Sequence, residues 1–226
     1  MDSVNEWFAF EEGTVDKKTC AEIRRWASKR WKPSSRKIYE KMYEYMKPES
    51  IIDISTDITD EERKTDITPD YKPDSKLRVS DIAWCNDQWI YDIIWPYMER
   101  ANDEAGWKYQ IKAAESCQII RYKKGGFCNF HADGRGDHLS AYHRPENKFL
   151  HGHVRKLSMS VILNDDFEGG AFEFASYAKE KCVITPIEAS SGSVIVFPSS
   201  VEHRVSPVTK GTRYSLVTWF VGPPFV

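Results

Sequence analysis

The chain has 226 residues, of which 41% are hydrophobic and 13% aromatic, and its formal net charge is −2. This composition can bury a core, which excludes wholesale disorder, and the length suits one large domain. Because a dedicated nucleic-acid-binding domain is usually markedly basic, the balanced charge argues against that class, and we expect no nucleic-acid partner.

The N-terminal stretch MDSVNEWFAFEEG is acidic and lacks the basic and apolar regions of a signal peptide. Apolar runs stay far below the ~20 residues that span a membrane. Five cysteines stand at wide spacings without a C-x-x-C pair, which is typical of reduced thiols. We therefore expect a soluble cytoplasmic protein, in the host cytoplasm if it is viral, with no membrane association.

The first half of the chain is predicted to be helical. Apolar residues recur at helical spacing over 15–27 and again over 86–105. Candidate N-cap residues precede each helix: Thr14 or Asp16 for the first, Asn86 or Asp87 for the second. Between the helices, residues 47–77 are rich in Pro, Asp and Thr, which predicts a long surface loop or a disordered insertion.

The second half changes to short apolar segments separated by Gly, Pro, Asn and Asp, which predicts β-strands. The predicted strands are 118–122, 157–163, 171–174, 193–197 and 213–221. Helices first and strands second predict an α+β protein whose second half is a sandwich or a barrel.

The segment FCNFHADGRGD contains a His and an Asp two residues apart, His131 and Asp133. Residues at i and i+2 of an extended backbone project to the same side. An imidazole and a carboxylate are two of the three ligands in the two-His-one-carboxylate triad, which leaves positions open on Fe(II). The pattern alone is weak, and ordinary polar residues at a strand end are the alternative. Nucleophile-elbow, P-loop and dinucleotide-binding glycine motifs do not occur.

Three distant residues strengthen the metal hypothesis. His203 follows the strand ending at Phe197 and could supply the second imidazole. Arg213 begins a strand whose alternate residues share one face, and a guanidinium inside a barrel needs an anionic partner such as a dicarboxylate. Tyr122 ends another strand, and its hydroxyl could reach the same ligand.

The order Tyr122-x-x-Gly125, His131-x-Asp133, RKLSMSVILND, FEGGAFEF, His203 and Arg213 resembles the 2-oxoglutarate- and Fe(II)-dependent dioxygenases. It is most similar to their prolyl 4-hydroxylase-like branch of bacterial or viral type, and the resemblance covers most of 78–222. The implied fold is a double-stranded β-helix, a jelly-roll barrel with N-terminal helices packed on the major sheet. We expect one catalytic domain over 1–226, with a helical support layer over 1–110 and the barrel over 111–226.

The resemblance also implies a role for each matched residue. His131, Asp133 and His203 would bind Fe(II). Arg213 would pair with the distal carboxylate of 2-oxoglutarate, and Tyr122 and Ser215 would complete the cosubstrate site. O2 is the second implied cosubstrate, and ascorbate is a further candidate ligand.

The resemblance implies hydroxylation of an unactivated C–H with release of succinate and CO2, most plausibly at a prolyl residue of a peptide or protein, by a monomeric enzyme. Three alternatives stay open. One is a dioxygenase for another amino acid or a small molecule, the second is a non-catalytic cupin-like metal- or ligand-binding barrel, and the third is a zinc hydrolase.

Some features of the sequence have two readings. Cys128 stands where the family often has an aromatic residue, so either one wall of the site differs or Phe127 or Phe130 fills the space. His151 and His153 could form a second metal site, although loop residues are the simpler interpretation. The loops at 47–77 and 134–153 could be lids over the site or solvated connections. Three tryptophans could line a groove or belong to the core: Trp84, Trp89 and Trp95.

Overall fold

The structure is a computed structural model, and it describes residues 6–10, 13–33, 78–133, 141–178 and 181–225. All of these residues belong to one compact unit. The loop predicted over 47–77 and residues 134–140 of the second predicted loop lie outside the described residues. Neither described helix has the length and apolarity needed to cross a membrane.

In chain order, the elements are β1 (Phe8–Phe10), α1 (Lys17–Ala27), β2 (Lys32–Pro33), β3 (Arg78–Val79), β4 (Asp81–Cys85), α2 (Gln88–Glu104), β5 (Ala113–Ala114), β6 (Cys117–Lys123), β7 (Phe127–His131), β8 (Val154–Ile162), β9 (Phe167–Gly169), β10 (Phe172–Ala178), β11 (Lys181–Ile187), β12 (Val194–Pro198), β13 (Glu202–Val205) and β14 (Val208–Gly222). The five predicted strands correspond to β6, β8, β10, β12 and β14. The other nine strands of the described residues, among them β4, β11 and β13, were not predicted from the sequence pattern.

Helix α1 begins as predicted, at an acidic N-cap. The Asp16 carboxylate accepts hydrogen bonds from the backbone N–H groups of Lys18 and Thr19, both at 3.0 Å. These two donors have no partner within the helix, so the cap satisfies them. The buried face of α1 consists of Cys20, Ile23 and Ala27.

Helix α2 has the predicted N-cap residue, Asp87, but the side chain does not cap the helix. Its carboxylate instead accepts the indole N–H of Trp26 at 2.7 Å, which ties α2 to the end of α1. The apolar face of α2 is buried as the spacing predicts: Ile90, Ile94, Met98 and Ala101.

The strands form two sheets. The major sheet has the order β1-β12-β8-β14-β6-β4-β2, with β5 and β9 also pairing with β14. The minor sheet has the order β11-β10-β13-β7-β3. From β6 onward the chain passes repeatedly between the two sheets, which rolls them into a barrel with an enclosed interior.

Two cores lie on opposite faces of the major sheet. The first lies between this sheet and both helices, and it includes Ile23, Ile94, Leu157, Met159, Val194, Leu216 and Phe220. The second fills the barrel and includes Ile120, Tyr122, Cys128, Phe172, Phe174, Ile195 and Phe197. The helices therefore pack on the major sheet, and the predicted α+β double-stranded β-helix is confirmed.

Candidate active site

Strand pairing brings the predicted residues together from distant parts of the chain. In the minor sheet, His203 of β13 lies opposite His131 of β7. In the major sheet, Arg213 of β14 lies opposite Tyr122 of β6. The side chains of His203, Arg213 and Tyr122 are buried.

His131, Asp133 and His203 form a compact cluster whose candidate ligand atoms lie within 4.8 Å of one another. The Asp133 carboxylate faces both imidazoles. Its Oδ1 is 3.5 Å from His131 Nε2, and its Oδ2 is 3.7 Å from His203 Nε2. Among the described residues, this is the group of His, Cys, Asp and Glu side chains with a spacing suited to a metal ion.

Both imidazoles are oriented by the backbone of their own strands. His131 Nδ1 lies 2.8 Å from the Asn129 carbonyl oxygen, and His203 Nδ1 lies 3.0 Å from that of Val201. A carbonyl oxygen only accepts, so the ring proton is assigned to Nδ1 and the lone pair to Nε2. Histidine ligands of metals commonly have such a partner on the other ring nitrogen.

The electrostatics of the cluster are strongly coupled. Burial, together with the nearby His131, lowers the pKa of His203 to about 4, although Asp133 opposes the shift. Burial also acts to lower the pKa of His131, but hydrogen bonding to Asp133 and Cys128 raises that pKa overall. Burial alone would raise the pKa of Asp133, yet the two imidazoles and Arg155 hold it below the usual range. The carboxylate is therefore ionised beside two nitrogen donors.

This donor set fits Fe(II). Two imidazole nitrogens and one carboxylate match the facial triad of non-haem iron oxygenases. Asp133 Oδ2 is buried and has no hydrogen-bond partner among the described residues, so it is available to a cation. Zinc accepts the same donor types, so the donor set alone does not separate the two metals.

Arg213 is a buried cation of the major sheet, opposite Tyr122. Its side chain is 1% exposed, and Nη1 donates to Ser215 Oγ at 3.1 Å. Nη2 is buried without a hydrogen-bond partner in the described part of the chain. Burial lowers the pKa of Arg213, but a guanidinium stays charged in proteins. A buried cation with one neutral acceptor is suited to bind a carboxylate.

Gly170 lies directly against the stem of Arg213. Its φ is +61°, and a Cβ atom there would stand 3.0 Å from Arg213 Cδ and 3.0 Å from Val208 Cγ2. Only glycine combines this backbone conformation with so close an approach. The turn between β9 and β10 therefore covers the arginine.

Tyr122 is 2% exposed, and the guanidinium carbon of Arg213 lies 5.7 Å from its ring centroid. Burial raises its pKa, so its hydroxyl remains a hydrogen-bond donor. A second cation that sequence reasoning missed, Arg78 of β3, donates to Gln118 Oε1 at 3.4 Å in the same interior. Arg78 also lowers the pKa of Tyr122, against the effect of burial.

Comparison with known proteins shows what the strand-rich part of the chain is similar to. The model of the 2OG-Fe(II) oxygenase superfamily matches residues 117–221, the segment that contains all of the site residues predicted above. The match covers a little under half of the 226 residues, and this part of the chain is similar to that superfamily.

Relatives and solved structures agree with the prolyl-hydroxylase-like resemblance. A PKHD-type hydroxylase of Alteromonas mediterranea is 38% identical over 66 residues, which are 28% of this chain and 27% of that protein. Human prolyl 3-hydroxylase 2 is 40% identical over 72 residues, which are 31% of this chain and 10% of that protein. The matched part therefore spans about a quarter or less of these relatives' lengths.

Structural similarity extends over nearly the whole chain. A Pseudomonas putida prolyl-4-hydroxylase has a TM-score of 0.56 at 18% identity, covering 95% of this chain and 91% of that one. The viral collagen prolyl hydroxylase of Paramecium bursaria Chlorella virus-1, in a 2OG complex, has a TM-score of 0.56 at 16% identity, covering 96% and 97%. At these identities the likeness establishes the fold.

Cys128 lies beside the first histidine of the cluster. It is 5% exposed, and its Sγ lies 3.8 Å from His131 Nδ1. Phe130 packs instead beneath the Arg204 guanidinium, at 4.5 Å, and neither Phe130 nor Phe127 belongs to the barrel core. The wall beside the first histidine is therefore lined by a thiol.

Three further residues surround Asp133, and sequence reasoning missed all of them. Arg155 Nε and Nη2 donate to the two carboxylate oxygens of Glu115, at 2.6 and 2.7 Å. Arg155 Nη1 donates to the backbone carbonyl of Asp133 at 2.8 Å, and the Tyr142 hydroxyl donates to Glu115 at 2.7 Å. The available signal was Arg155 itself, a charge at the start of a buried strand.

His151, His153 and the three tryptophans considered above lie apart from the metal-suited cluster. His151 Nδ1 accepts from the Arg144 backbone at 3.1 Å, and His153 Nδ1 lies 2.9 Å from the Phe149 carbonyl. Both are loop residues outside the metal-suited cluster. Trp89 and Trp95 pack against the helix-side core, whereas Trp84 is 42% exposed.

Proposed function

We propose that this chain is a 2-oxoglutarate- and Fe(II)-dependent dioxygenase that hydroxylates a prolyl residue in a peptide or protein, with release of succinate and CO2. The observation that carries the proposal is the pairing of two sites in one barrel. A two-His-one-carboxylate cluster lies at the minor sheet, and the major sheet contains a buried arginine with an N–H group that has no hydrogen-bond partner among the described residues.

The three cluster residues would hold the iron. His131 and His203 present Nε2, because their Nδ1 atoms face backbone carbonyls. Asp133 supplies an ionised carboxylate oxygen. Iron bound there would supply the redox chemistry with which O2 oxidises the keto acid and one C–H bond of the substrate.

The remaining pocket residues would bind and orient 2-oxoglutarate. Arg213 Nη2 would donate to the distal carboxylate, with Ser215 holding the other guanidinium nitrogen. Tyr122 would donate its hydroxyl to the same cosubstrate. The aromatic rings of Phe172 and Phe197 lie 5.5 and 4.7 Å from the His203 ring and would exclude bulk water from one side.

Names of relatives support the prolyl substrate. The matched segments belong to proteins named PKHD-type hydroxylase and prolyl 3-hydroxylase, and a further structural neighbour is a Trichoplax adhaerens prolyl hydroxylase in complex with a peptide fragment. We propose a single domain that is active as a monomer. The substrate test below also determines which position of the proline ring is hydroxylated.

Buried Arg213 disfavours both rival classes. If the protein were a non-catalytic cupin-like barrel, we would expect Arg213 to face solvent. Its side chain is buried instead. A zinc hydrolase needs one metal-bound water and has no use for a buried dicarboxylate partner. A dioxygenase acting on another amino acid or a small molecule shares the cosubstrate site and is separated by substrate alone.

The cosubstrate test is anaerobic addition of Fe(II) and then 2-oxoglutarate to the protein. We expect a visible metal-to-ligand absorption band that requires both additions. An Asp133→Ala variant should give no band, and Arg213→Met should need far more 2-oxoglutarate. Iron binding without a band in the native protein would contradict the proposal.

The substrate test is incubation of the complete enzyme with a proline-containing peptide library. We expect succinate release coupled to a mass gain of one oxygen on proline, with the ring position assigned by NMR. Parallel reactions with and without ascorbate test whether it sustains turnover. Succinate coupled to modification of another residue would replace the prolyl assignment and keep the dioxygenase.

A further inference from the structure

An ionic cluster beside the metal ligands has no part in the proposed reaction. It consists of Glu115, Arg155 and Tyr142, and we call it the Glu115 cluster. It joins three separate parts of the chain: the link between β5 and β6, the start of β8, and the loop that precedes β8.

Glu115 is held rigidly through its backbone. Its N–H donates to the Trp219 carbonyl at 2.8 Å. Its own carbonyl accepts the Tyr91 hydroxyl at 3.0 Å and the Thr218 hydroxyl at 3.1 Å. The carboxylate of Glu115 therefore projects from a fixed point on the major sheet.

Arg155 uses three guanidinium nitrogens at once. Nε and Nη2 form a bidentate pair with Glu115, and Nη1 reaches the Asp133 carbonyl. The guanidinium also lies over the Trp219 ring, 4.1 Å from its centroid. A planar fork held on two sides in this way has one orientation, which lysine could not reproduce.

Tyr142 links the preceding loop to this pair. Its hydroxyl donates to Glu115, while its backbone N–H and carbonyl pair with His153 at 2.8 Å and Gly152 at 2.9 Å. The loop thus closes on itself and is fastened to the cluster by one side chain.

Asp133 lies beyond the end of β7, where the strand ladder no longer fixes its backbone. Its N–H donates to the Ser199 carbonyl at 3.0 Å, and its carbonyl accepts from Arg155 at 2.8 Å. With both backbone groups held, Cα of Asp133 is placed so that the carboxylate reaches both His131 and His203. We propose that the Glu115 cluster is the positioning device for Asp133, and that it sets the affinity and geometry of the metal site.

This inference rests on the proposed metal site, and metal binding without turnover tests it. Arg155→Lys keeps the charge but removes the fork. Titrated anaerobically with Co(II), this variant should bind about 10- to 100-fold more weakly than the native protein. The visible spectrum of bound Co(II) should also change, because the carboxylate ligand is less well oriented.

Arg121→Lys is the matched control. Arg121 Nε and Nη2 donate to Asp81 at 3.0 and 2.8 Å, and its guanidinium lies 4.7 Å from the Trp31 ring centroid. Its side chain is 23% exposed, against 22% for Arg155. This variant should lose comparable stability and bind Co(II) with native affinity and spectrum.

Equal Co(II) affinity in native protein, Arg155→Lys and Arg121→Lys would overturn the inference. A native protein that binds no Co(II) would remove the metal site and, with it, the proposed function. If Arg155→Lys does not fold, the Co(II) affinity of Tyr142→Phe tests the inference. Tyr97→Phe is the control for this variant, because the Tyr97 hydroxyl donates to the Thr14 carbonyl at 2.9 Å, far from the Glu115 cluster. Weaker binding in Tyr142→Phe alone supports the inference, and native affinity in both overturns it.

Discussion

Two arginines face this barrel from neighbouring strands of the major sheet, and they differ in what balances their charge. Arg155 at the start of β8 has a bidentate carboxylate partner, and this ion pair raises its pKa against the effect of burial. Arg213 on β14 has one neutral acceptor, Ser215, and burial lowers its pKa.

We infer from this difference that one arginine stabilises the fold and the other binds a ligand. A buried charge without an internal partner destabilises a fold, so it persists where an external ligand completes it. A buried charge with a well-oriented partner can instead hold other groups in place. On this reasoning we expect Arg155 to hold other protein groups in place, and we expect Arg213 to bind the proposed dicarboxylate.

The largest expected effect is on the internally paired arginine. Arg155→Met leaves the Glu115 carboxylate partly buried without its cation, and we expect a loss of about 3 kcal/mol in unfolding free energy. Denaturant unfolding followed by circular dichroism measures it. Adding Glu115→Gln should recover much of the loss, and a double variant as unstable as the single one would contradict this explanation.

The same substitution at the other arginine should act on ligand binding. Arg213→Met should weaken 2-oxoglutarate binding about 100-fold, because charge-assisted hydrogen bonds contribute about 1.5–3 kcal/mol each. Its unfolding free energy should stay unchanged or rise by about 1 kcal/mol, since a buried unpaired charge is removed. Titration of the Fe(II)-loaded protein with 2-oxoglutarate measures the binding, and denaturant unfolding measures the stability. A stability loss like that of Arg155→Met would contradict the proposed difference between the two arginines.

A smaller effect is expected where the turn touches Arg213. Gly170→Ala introduces strain at φ +61° and a contact with the arginine stem, and we expect a loss of about 1–2 kcal/mol in stability. Gly125→Ala is the control, because its φ is +79° and its added Cβ would meet nothing within 4 Å. Both variants should lose stability, but only Gly170→Ala should weaken 2-oxoglutarate binding.

The smallest effect is expected at the neutral partner of Arg213. Ser215→Ala should change unfolding free energy by about 1 kcal/mol or less and weaken 2-oxoglutarate binding only a few-fold. Ser158→Ala, which removes a buried 3.0 Å contact with Ser199, serves as the comparison. A 100-fold loss in Ser215→Ala would show that the hydroxyl, and not the guanidinium, dominates recognition.

Much of the fold and of the candidate site follows from local patterns. Helical spacing predicts α1 and α2, and the period of two places His131 with Asp133 and aligns Arg213 with Ser215. His203 was predicted as a partner because a barrel brings distant strands together. For the helices and for the two residue pairs, the neighbours along the chain contain the information, whereas the prediction of His203 depended on the expected barrel.

The Glu115 cluster could not be predicted in this way. Glu115 meets Arg155 only because β5 and β8 pair on opposite sides of β14, with an irregularity between Phe220 and Val221. Such a register depends on the whole sheet. Asp87 is a second example of a contact that local patterns do not predict. Its position at the start of α2 was predicted, but its hydrogen bond with Trp26 depends on how the two helices pack.

The pairing of strand β14 determines when the major sheet can be completed. Within the described residues it pairs with β5, β6, β8 and β9, all of which precede it in the chain. During synthesis, the edges of β6 and β8 therefore stay open until β14 has left the ribosome, and contacts so distant in sequence form slowly. We expect refolding to be slow and prone to aggregation, and a chain ending before Val208 to remain trapped with those edges exposed.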